Sequence, residues 1–347
     1  MSDGAQPRAA DNPRLDSVDI LRACCALMVV CIHTGMPGQL GAFIRVFCRS
    51  AVPVFFMITG YFCADGIGGA RGYRLIHRTL LLIVQANAIY LIWHLLMAWP
   101  DMGEYLRRTF TAERLVRFVL VNESPIRGHL WYLDALLYTL VIAAAAERLR
   151  CMRLLEWATP LLLLGDLVLG KYAMVLFHRE FSPLLVRNFL FVGIPNFCIG
   201  LWIRRGLGRG VPRPALLGMI LAFSATSLAE WAALTRTGMS TQREHYISTT
   251  FLAAALLLFT LSFTGQARTA VGRLAAKIGR RDAVWVYILH LIWVGRFNVL
   301  AKMLGCSDMY QRVAPLAVYA ASLLTISAAR GIGRDLRRVF SGRGGAR

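Results

Sequence analysis

The sequence consists of a series of apolar blocks, each about 20 residues long, separated by short polar segments. A helix needs roughly 20 apolar residues to cross a hydrocarbon core about 30 Å thick, and soluble cores rarely contain so many such runs in series. The blocks cover residues 18–36, 43–64, 79–99, 129–146, 154–175, 184–203, 215–234, 247–263, 283–303 and 313–329. They predict an all-α fold, a polytopic integral membrane helical bundle with about ten transmembrane helices.

The block 154–175 is the weakest of these spans, because Pro160, Gly165 and Asp166 interrupt it. Helix breakers and acids are tolerated in a membrane only where neighbouring groups satisfy them. A bent or re-entrant segment is the alternative for this block. The overall composition agrees with a membrane protein, since 17% of the residues are charged and a soluble domain usually has about a quarter.

The chain is strongly basic, with 39 Lys and Arg against 19 Asp and Glu. No basic patch lies on a separate soluble domain, so a nucleic-acid partner is not predicted. The cations instead concentrate in alternate loops, as the positive-inside rule requires of cytoplasmic segments. The richer segments are those at 71–78, 148–153, 204–213, 268–281 and 334–347.

This alternation of charge predicts an even number of spans and two cytoplasmic termini, in the cytoplasmic (inner) cell membrane. Residues 1–14 form a polar cytoplasmic tail in this interpretation, and residues 331–347 form a basic one. Residues 15–330 between them are the transmembrane domain. The eight cysteines show no zinc-binding spacing, so packing within helices is expected for them and no metal is predicted.

The first apolar block carries a line of ionisable residues, Asp19, Arg22 and His33. Eleven residues separate Arg22 from His33, so both project from one helix face about 16 Å apart along the axis, and Asp19 lies one turn before Arg22. Ionisable groups within a span are costly, so this line predicts a polar cleft reaching from the cytoplasm toward the outer leaflet. Alternatively, Asp19 and Arg22 extend to the interface and His33 is an interfacial residue at the helix end.

A pair of arginines, Arg74 and Arg78, projects from one helix face at the start of the third block. Two guanidinium groups there are suited to a phosphorylated ligand. The alternative is a positive-inside anchor that contacts lipid headgroups.

Polar and aromatic residues also mark the fourth and ninth blocks. Trp131 is at the interface, where aromatic residues are common, whereas Asp134 lies deeper in the span. Tyr287 and His290 are one turn apart in the ninth block, and His290 is well inside it. Either function or helix packing explains His290 at this stage.

These motifs, taken in order, resemble the type-3 membrane acyltransferase family over nearly the whole chain. The matching stretches are Asp19-Ile20-Leu21-Arg22 with His33, Val52-Pro53-Val54-Phe55-Phe56-Met57-Ile58-Thr59-Gly60-Tyr61, Arg74 with Arg78, His129-Leu130-Trp131-Tyr132-Leu133, and Ile278-Gly279 with Tyr287-Ile288-Leu289-His290. The details resemble the branch that includes sugar O-acetylases and the membrane part of serine racemases. The family more often has serine at the position of Thr59, a change that keeps the hydroxyl group.

The resemblance implies an O-acyltransferase that moves an acyl group, with acetyl preferred, from cytoplasmic acyl-CoA to a hydroxyl of a glycan or similar polar acceptor. The expected cofactor is therefore acetyl-CoA as acyl donor. Many members carry an extracellular esterase-like domain that this sequence does not show, so an extracytoplasmic partner would be a separate protein. The sequence names neither the acceptor nor the acyl group.

Acyl transfer to a hydroxyl needs a base, and neutral histidine is suited to that role near neutral pH. His33 is the expected base, and Arg22, oriented by Asp19, is expected to line the passage for the acyl donor. Arg74 and Arg78 are expected to bind the CoA phosphates. The residues expected on the acceptor side are Trp131, Tyr132, Asp134, Tyr287 and His290.

Two other function classes remain open at this stage. A transporter of a small polar compound could use the same polar line, although no inverted repeat typical of transporters is found. A non-catalytic membrane subunit or sensor is the second alternative.

Overall fold

The computed structural model describes residues 15–239, 245–263 and 265–342, with side chains described as far as residue 335. Every regular element in this part of the chain is helical, and it contains no strand. The prediction of an all-α fold is therefore confirmed for the described residues. The predicted tail 1–14 and the last five residues lie outside them, whereas residues 331–342 of the predicted basic tail continue the last helix.

Fifteen α-helices occur in the described ranges. They are α1 Asp16–Thr34, α2 Gly38–Cys48, α3 Ala51–Cys63, α4 Ala70–Met97, α5 Met102–Thr109, α6 Ala112–Val121, α7 Trp131–Arg148, α8 Met152–Asp166, α9 Ala173–Phe177, α10 Ile194–Arg205, α11 Arg213–Arg236, α12 Thr249–Leu261, α13 Ala270–Arg281, α14 Ala283–Met303 and α15 Ser307–Gly342. Short 3₁₀ turns cover Gly128–Leu130 and Pro183–Leu185, and π turns cover Leu167–Lys171 and Phe189–Gly193.

Seven helical segments within the described residues are long and apolar enough to cross a membrane: Asp16–Thr34, Gly38–Cys63, Ala70–Met97, Gly128–Arg148, Arg213–Arg236, Ala283–Met303 and Ser307–Asp335. They correspond to seven of the predicted blocks. The blocks 154–175, 184–203 and 247–263 instead contain shorter or interrupted helices. The chain is thus a multi-pass membrane protein by the length and composition of its helices.

The block 43–64 is divided between α2 and α3, with the break at Arg49 and Ser50. Pro53 explains the position of this break, because proline has no N–H to donate to the carbonyl four residues earlier, which is that of Arg49. Further along α3, Gly60 packs directly on α10. A Cβ atom on Gly60 would lie 2.0 Å from the carbonyl oxygen of Phe197, so the glycine allows the two backbones to approach closely.

The block 154–175 is interrupted later than the sequence suggests. Helix α8 runs through Pro160, and the regular helix ends at Asp166, where a π turn begins. Gly165 allows the ring of Phe191 to pack on the helix, since a Cβ there would lie 2.5 Å from Cε1 of that ring. Asp166 is buried and is satisfied by His245, whose Nδ1 lies 2.7 Å from its carboxylate.

Helix α1 lies at the centre of the bundle, packed against α3, α13, α14 and α15. By contrast α4 is peripheral and exposes apolar side chains along its length, among them Leu80, Val84 and Ile92. Such an apolar surface suits contact with lipid. Asp19 on α1 is therefore buried among these helices and Arg22 is half-buried, whereas His33 is exposed at the end of the helix.

Ion pairs connect several arginine-rich segments at the end of the bundle where α1 begins. They join Arg280 to Asp16 at 3.2 Å, Arg204 to Asp65 at 3.1 Å, and Arg330 to Asp282. The beginning of α1 and residue 330 of α15 therefore lie at the same end of the bundle.

Candidate functional site

The three ionisable residues of α1 lie on an unbroken helix, which ends only at Gly35 in the left-handed conformation (φ 65°). Arg22 Nη1 lies 2.8 Å from Asp19 Oδ1, so the predicted pair is present. His33 is in the last turn of the same helix, one residue before it ends. Arg22 and His33 each line a different cavity within the bundle.

Asp19 also pairs with Arg280 at the end of α13, a residue of the basic segment 268–281 that was not predicted for the site. Oδ2 of Asp19 lies 3.1 Å from Nε of Arg280. The preceding Gly279 makes this contact possible, because a Cβ atom on it would lie 1.6 Å from the carbonyl oxygen of Asp19. The motif Ile278-Gly279 is thus the sequence signal for a contact between α13 and α1, and Asp19 holds two guanidinium groups rather than one.

Three histidines from different elements meet near the end of α1, and we call them the histidine cluster: His33, His129 and His290. The ring centroid of His290 lies 5.1 Å from that of His33 and 5.4 Å from that of His129. His129 comes from the 3₁₀ turn before α7, and His290 comes from α14. His129 was not among the predicted site residues, although it begins the motif that contains Trp131 and Tyr132.

Carbonyl oxygens fix the hydrogen-bonding roles of the two buried histidines. Nδ1 of His290 lies 2.7 Å from the oxygen of Tyr287, and Nε2 of His129 lies 3.3 Å from the oxygen of Ile288. A carbonyl oxygen only accepts, so these two nitrogens are the donors in the neutral rings. The opposite nitrogens, Nε2 of His290 and Nδ1 of His129, are buried without a hydrogen-bond partner in the described structure.

Tyr287 and Tyr90 hold the cluster in place from two sides. The hydroxyl of Tyr287 donates to the carbonyl oxygen of His129, and that of Tyr90 donates to the oxygen of Ile288 at 2.7 Å. Tyr90 also packs edge-on against His129, with the ring centroids 5.1 Å apart. These bonds connect α4, α14 and the turn before α7 around the histidines.

The first of three neighbouring cavities, the arginine cavity, has a volume of about 430 Å³. Arg74 and Arg78, both predicted site residues, line it. Arg71, from the basic segment 71–78, lines it too. Arg22 of α1 reaches this cavity as well. No Asp or Glu is among its described lining residues, so its lining is strongly cationic.

The second, the middle cavity, has a volume of about 210 Å³ and shares Arg22 and Thr59 with the arginine cavity. Arg280 lines it, as do the rings of Tyr132 and Tyr287. The Thr59 hydroxyl donates to the carbonyl oxygen of Phe55, so its hydrogen bond is made within α3.

The third, the histidine cavity, has a volume of about 290 Å³ and shares Tyr132 and Tyr287 with the middle cavity. His33, His129 and Trp131 line it. Two arginines that the sequence analysis did not select line it too, Arg127 before α7 and Arg187 before the second π turn. The only sequence signal for Arg127 is its place next to the motif at 129–133, and Arg187 has none.

The three cavities thus form a row between the arginines of α4 and His33. Most predicted site residues line this row: Arg22, His33, Arg74, Arg78, Trp131, Tyr132 and Tyr287. Asp19 and His290 do not line the row but contact residues that do. Asp19 pairs with Arg22, and the ring of His290 contacts that of His33. Asp134 is 3% exposed and lines none of the three cavities, although its carboxylate interacts electrostatically with Tyr287, which lines two of them.

The sequence of the chain matches the family model described as an acyltransferase domain, Acyl_transf_3, over residues 15–329. The chain belongs to the type-3 acyltransferase family. This match extends over all three cavities and the histidine cluster, and it confirms the family resemblance carried by the motifs.

One curated relative of this type-3 acyltransferase is a serine/alanine racemase from Enterococcus gallinarum. The two are 31% identical over 128 residues, which cover 35% of this chain and 18% of the racemase. The chain therefore matches less than a fifth of that relative's length. No solved structure matches the chain.

Proposed function

We propose that this acyltransferase is a membrane-bound O-acyltransferase that moves an acetyl group from cytoplasmic acetyl-CoA to a hydroxyl of a sugar, glycan or similar polar acceptor. The observation that supports this proposal is the row of cavities between the arginines of α4 and His33. A cationic cavity at one end suits a phosphorylated donor, and a histidine at the other end suits a base.

In this proposal both termini face the cytoplasm and the chain crosses the membrane ten times. The concentration of arginines at the end where α1 begins supports that orientation through the positive-inside rule. The three segments below membrane length, around α8, α10 and α12, would complete the count. Two of them contain π turns, and α8 exposes apolar side chains, among them Leu161 and Leu164, that suit contact with lipid.

The donor binds with its phosphates in the arginine cavity. Arg74 and Arg78 provide planar guanidinium groups on one side of α4, and Arg71 adds a third. The thioester end of the donor extends through the middle cavity, past Arg22. Asp19 holds Arg22 in this position through its carboxylate at 2.8 Å.

The acceptor binds in the histidine cavity and is deprotonated by His33. Its hydroxyl oxygen attacks the thioester carbonyl, the C–S bond breaks, and the CoA thiolate leaves and takes up the proton that His33 received. His290 positions His33 through ring contact, and Tyr287 holds His129, whose ring contacts that of His290. Trp131 and Tyr132 shape the acceptor side of the cavity.

The experiment that tests this function reconstitutes the full chain in liposomes containing the membrane extract of its source cells and supplies radiolabelled acetyl-CoA. We expect label in a hydroxyl ester and one free CoA thiol for each ester formed. Movement of a polar solute across the liposome without thiol release would instead indicate a transporter. Binding of acetyl-CoA with no thiol release under any acceptor extract would indicate a non-catalytic subunit.

A further inference from the structure

A groove of about 600 Å³ lies beside the first turns of α1, and it shares no residue with the three cavities of the row. We call it the α1 groove. One wall is α1, which contributes Ile20, Leu21 and Cys24. The opposite wall is the end of α12, with Phe259, and the residue Phe263 that follows this helix. The floor between these walls is therefore apolar.

The α1 groove lies on the opposite face of α1 from the line of Arg22 and His33. Ile20 and Cys24 are four residues apart, so both project from the same helix face. Arg22 follows Ile20 by two residues, which is about 200° around the helix axis, and His33 shares the face of Arg22. A molecule in this groove therefore does not compete for space with a donor in the cavity row, because α1 lies between them.

Two exposed arginines form the polar edge of the groove, Arg213 at the start of α11 and Arg268 just before α13. Arg213 donates to the side-chain and backbone oxygens of Ser262, at 3.3 and 2.6 Å, and its guanidinium group lies over the ring of Phe263. Within the described part of the chain, neither guanidinium group pairs with a carboxylate. The edge is therefore cationic and is fixed to the wall formed by the end of α12.

Asp16 is the one carboxylate among the described residues that line the groove, and its charge is already balanced. Its Oδ1 lies 3.2 Å from Arg280, and its Oδ2 accepts from the amide of Ala267 at 2.9 Å. Asp19 binds the same Arg280 and also Arg22, so these two carboxylates and two guanidinium groups form a closed set. The two edge arginines keep their positive charge.

An apolar floor below a cationic edge matches a phospholipid with an anionic headgroup. Exposed guanidinium groups alone are solvated by water and need no ligand, so the apolar floor beside them is what favours an amphiphile. The edge lies at the arginine-rich end of the bundle, which faces the cytoplasm in the proposed orientation. The cytoplasmic leaflet carries anionic lipids, and the planar fork of arginine fits phosphate oxygens.

We propose that the α1 groove is a binding site for an anionic phospholipid of the inner leaflet. Its phosphate binds at Arg213 and Arg268, and one acyl chain lies along Ile20, Cys24 and Phe263. Bound in this way, the lipid holds α1 against α12 on the side away from the reaction. Only the choice of leaflet rests on the proposed orientation, and the site itself is independent of the acyl transfer.

Cys24 reports whether the groove is occupied, because it is the exposed one of the eight cysteines, all of which lie in the described ranges. The full chain is purified in detergent, stripped of native lipid and treated with N-ethylmaleimide. Peptide mass spectrometry measures the rate of alkylation at Cys24. Cys151 is the internal reference, since it is half-exposed and lines none of the described cavities.

The added probes are dioctanoyl phosphatidylglycerol, which is anionic, dioctanoyl phosphatidylcholine, which has no net charge, and acetyl-CoA. The variant is Arg268→Gln, because this side chain makes no ion pair within the described residues that the fold would lose. Arg209→Gln is the matched control. Arg209 is an exposed arginine in the segment before α11 and lines none of the described cavities.

We expect phosphatidylglycerol to protect Cys24 from alkylation at concentrations where phosphatidylcholine does not, while Cys151 reacts at an unchanged rate. Arg268→Gln should raise the phosphatidylglycerol concentration that gives half-protection by about fivefold, the usual effect of one arginine near an anionic lipid surface. Arg209→Gln should leave that concentration at the wild-type value.

Four results overturn the proposal. They are equal protection by the two lipids, an unchanged half-protection concentration in Arg268→Gln, protection of Cys24 by acetyl-CoA, and a Cys24 that stays unreactive in the lipid-free chain. Protection by acetyl-CoA would place the donor in this groove, and an unreactive thiol would mean that the protein itself covers it. The comparison of the two lipids on the wild type decides the matter even if the variant fails to fold. Protection by phosphatidylglycerol in a chain that transfers no acetyl group would contradict the proposed function alone.

Discussion

The imidazole rings of His33 and His290 lie with their centroids 5.1 Å apart, although they belong to the first helix and the last but one. Nδ1 of His290 is committed to the carbonyl oxygens of Tyr287 and Val286, which leaves Nε2 buried without a partner in the described structure. A buried nitrogen without a hydrogen bond lowers stability, so a histidine retained in that position points to a role other than packing. We interpret His290 as a positioning residue for His33.

The substitution His290→Ala tests this interpretation, because alanine removes the ring that contacts His33. We expect kcat for acetyl transfer to fall by about tenfold or more, since His33 loses the neighbour that orients it. The KM for acetyl-CoA should stay at the wild-type value, because His290 lines none of the donor cavities. An unchanged kcat would contradict a positioning role, and a raised KM would point to a general loss of structure.

Donor binding is tested by Arg74→Gln, which removes one guanidinium group from the arginine cavity. We expect the KM for acetyl-CoA to rise by about tenfold, since a charge-assisted hydrogen bond to phosphate is lost, with little change in kcat. Arg153→Gln is the control, an exposed arginine that does not line the cavity. Equal KM values in the two variants would show that the phosphates bind elsewhere.

The contact between α13 and α1 predicts a sharp difference between two glycines. Gly279→Ala places a methyl group 1.6 Å from the carbonyl oxygen of Asp19, so the helices must separate. We expect it to lower the free energy of unfolding by about 1–3 kcal/mol or more. Gly295→Ala on α14, where nothing lies within 4 Å of the added Cβ, should leave stability unchanged or raise it slightly, since alanine is the better helix former.

Thermal unfolding in detergent measures this difference, with the tryptophan fluorescence of the purified variants as readout. A similar midpoint for both variants would mean that α13 does not dock on Asp19 as described.

The sequence predicts the helical segments well because membrane length and apolar composition leave few alternatives for the backbone. It also predicts the Asp19–Arg22 pair, since residues three apart on a helix are neighbours. It places the break in the block 154–175 less well. Pro160 suggests an early interruption, whereas the helix continues through it and changes at Leu167, where Gly165 and Phe191 pack together.

The parts of the site that the sequence misses depend on contacts between distant helices. Arg280 reaches Asp19 only because α13 docks on α1, and Arg127 reaches the histidine cavity only through the loop before α7. Conversely, Asp134 is selected for its depth in a span, but it lines none of the three cavities. Helical periodicity describes one helix at a time and carries no information on which faces of two helices meet.

The central claim is that His33 is the base of an acetyl transfer from acetyl-CoA. The most direct measurement is the rate of labelled acetyl transfer by His33→Ala in reconstituted membranes, with His77→Ala as the control. His77 is exposed on α4 and lines none of the three cavities. We predict that His33→Ala lowers the rate by about 10²- to 10⁴-fold, the usual contribution of a general base, while acetyl-CoA still binds and His77→Ala transfers at the wild-type rate. A wild-type transfer rate in His33→Ala would contradict the account.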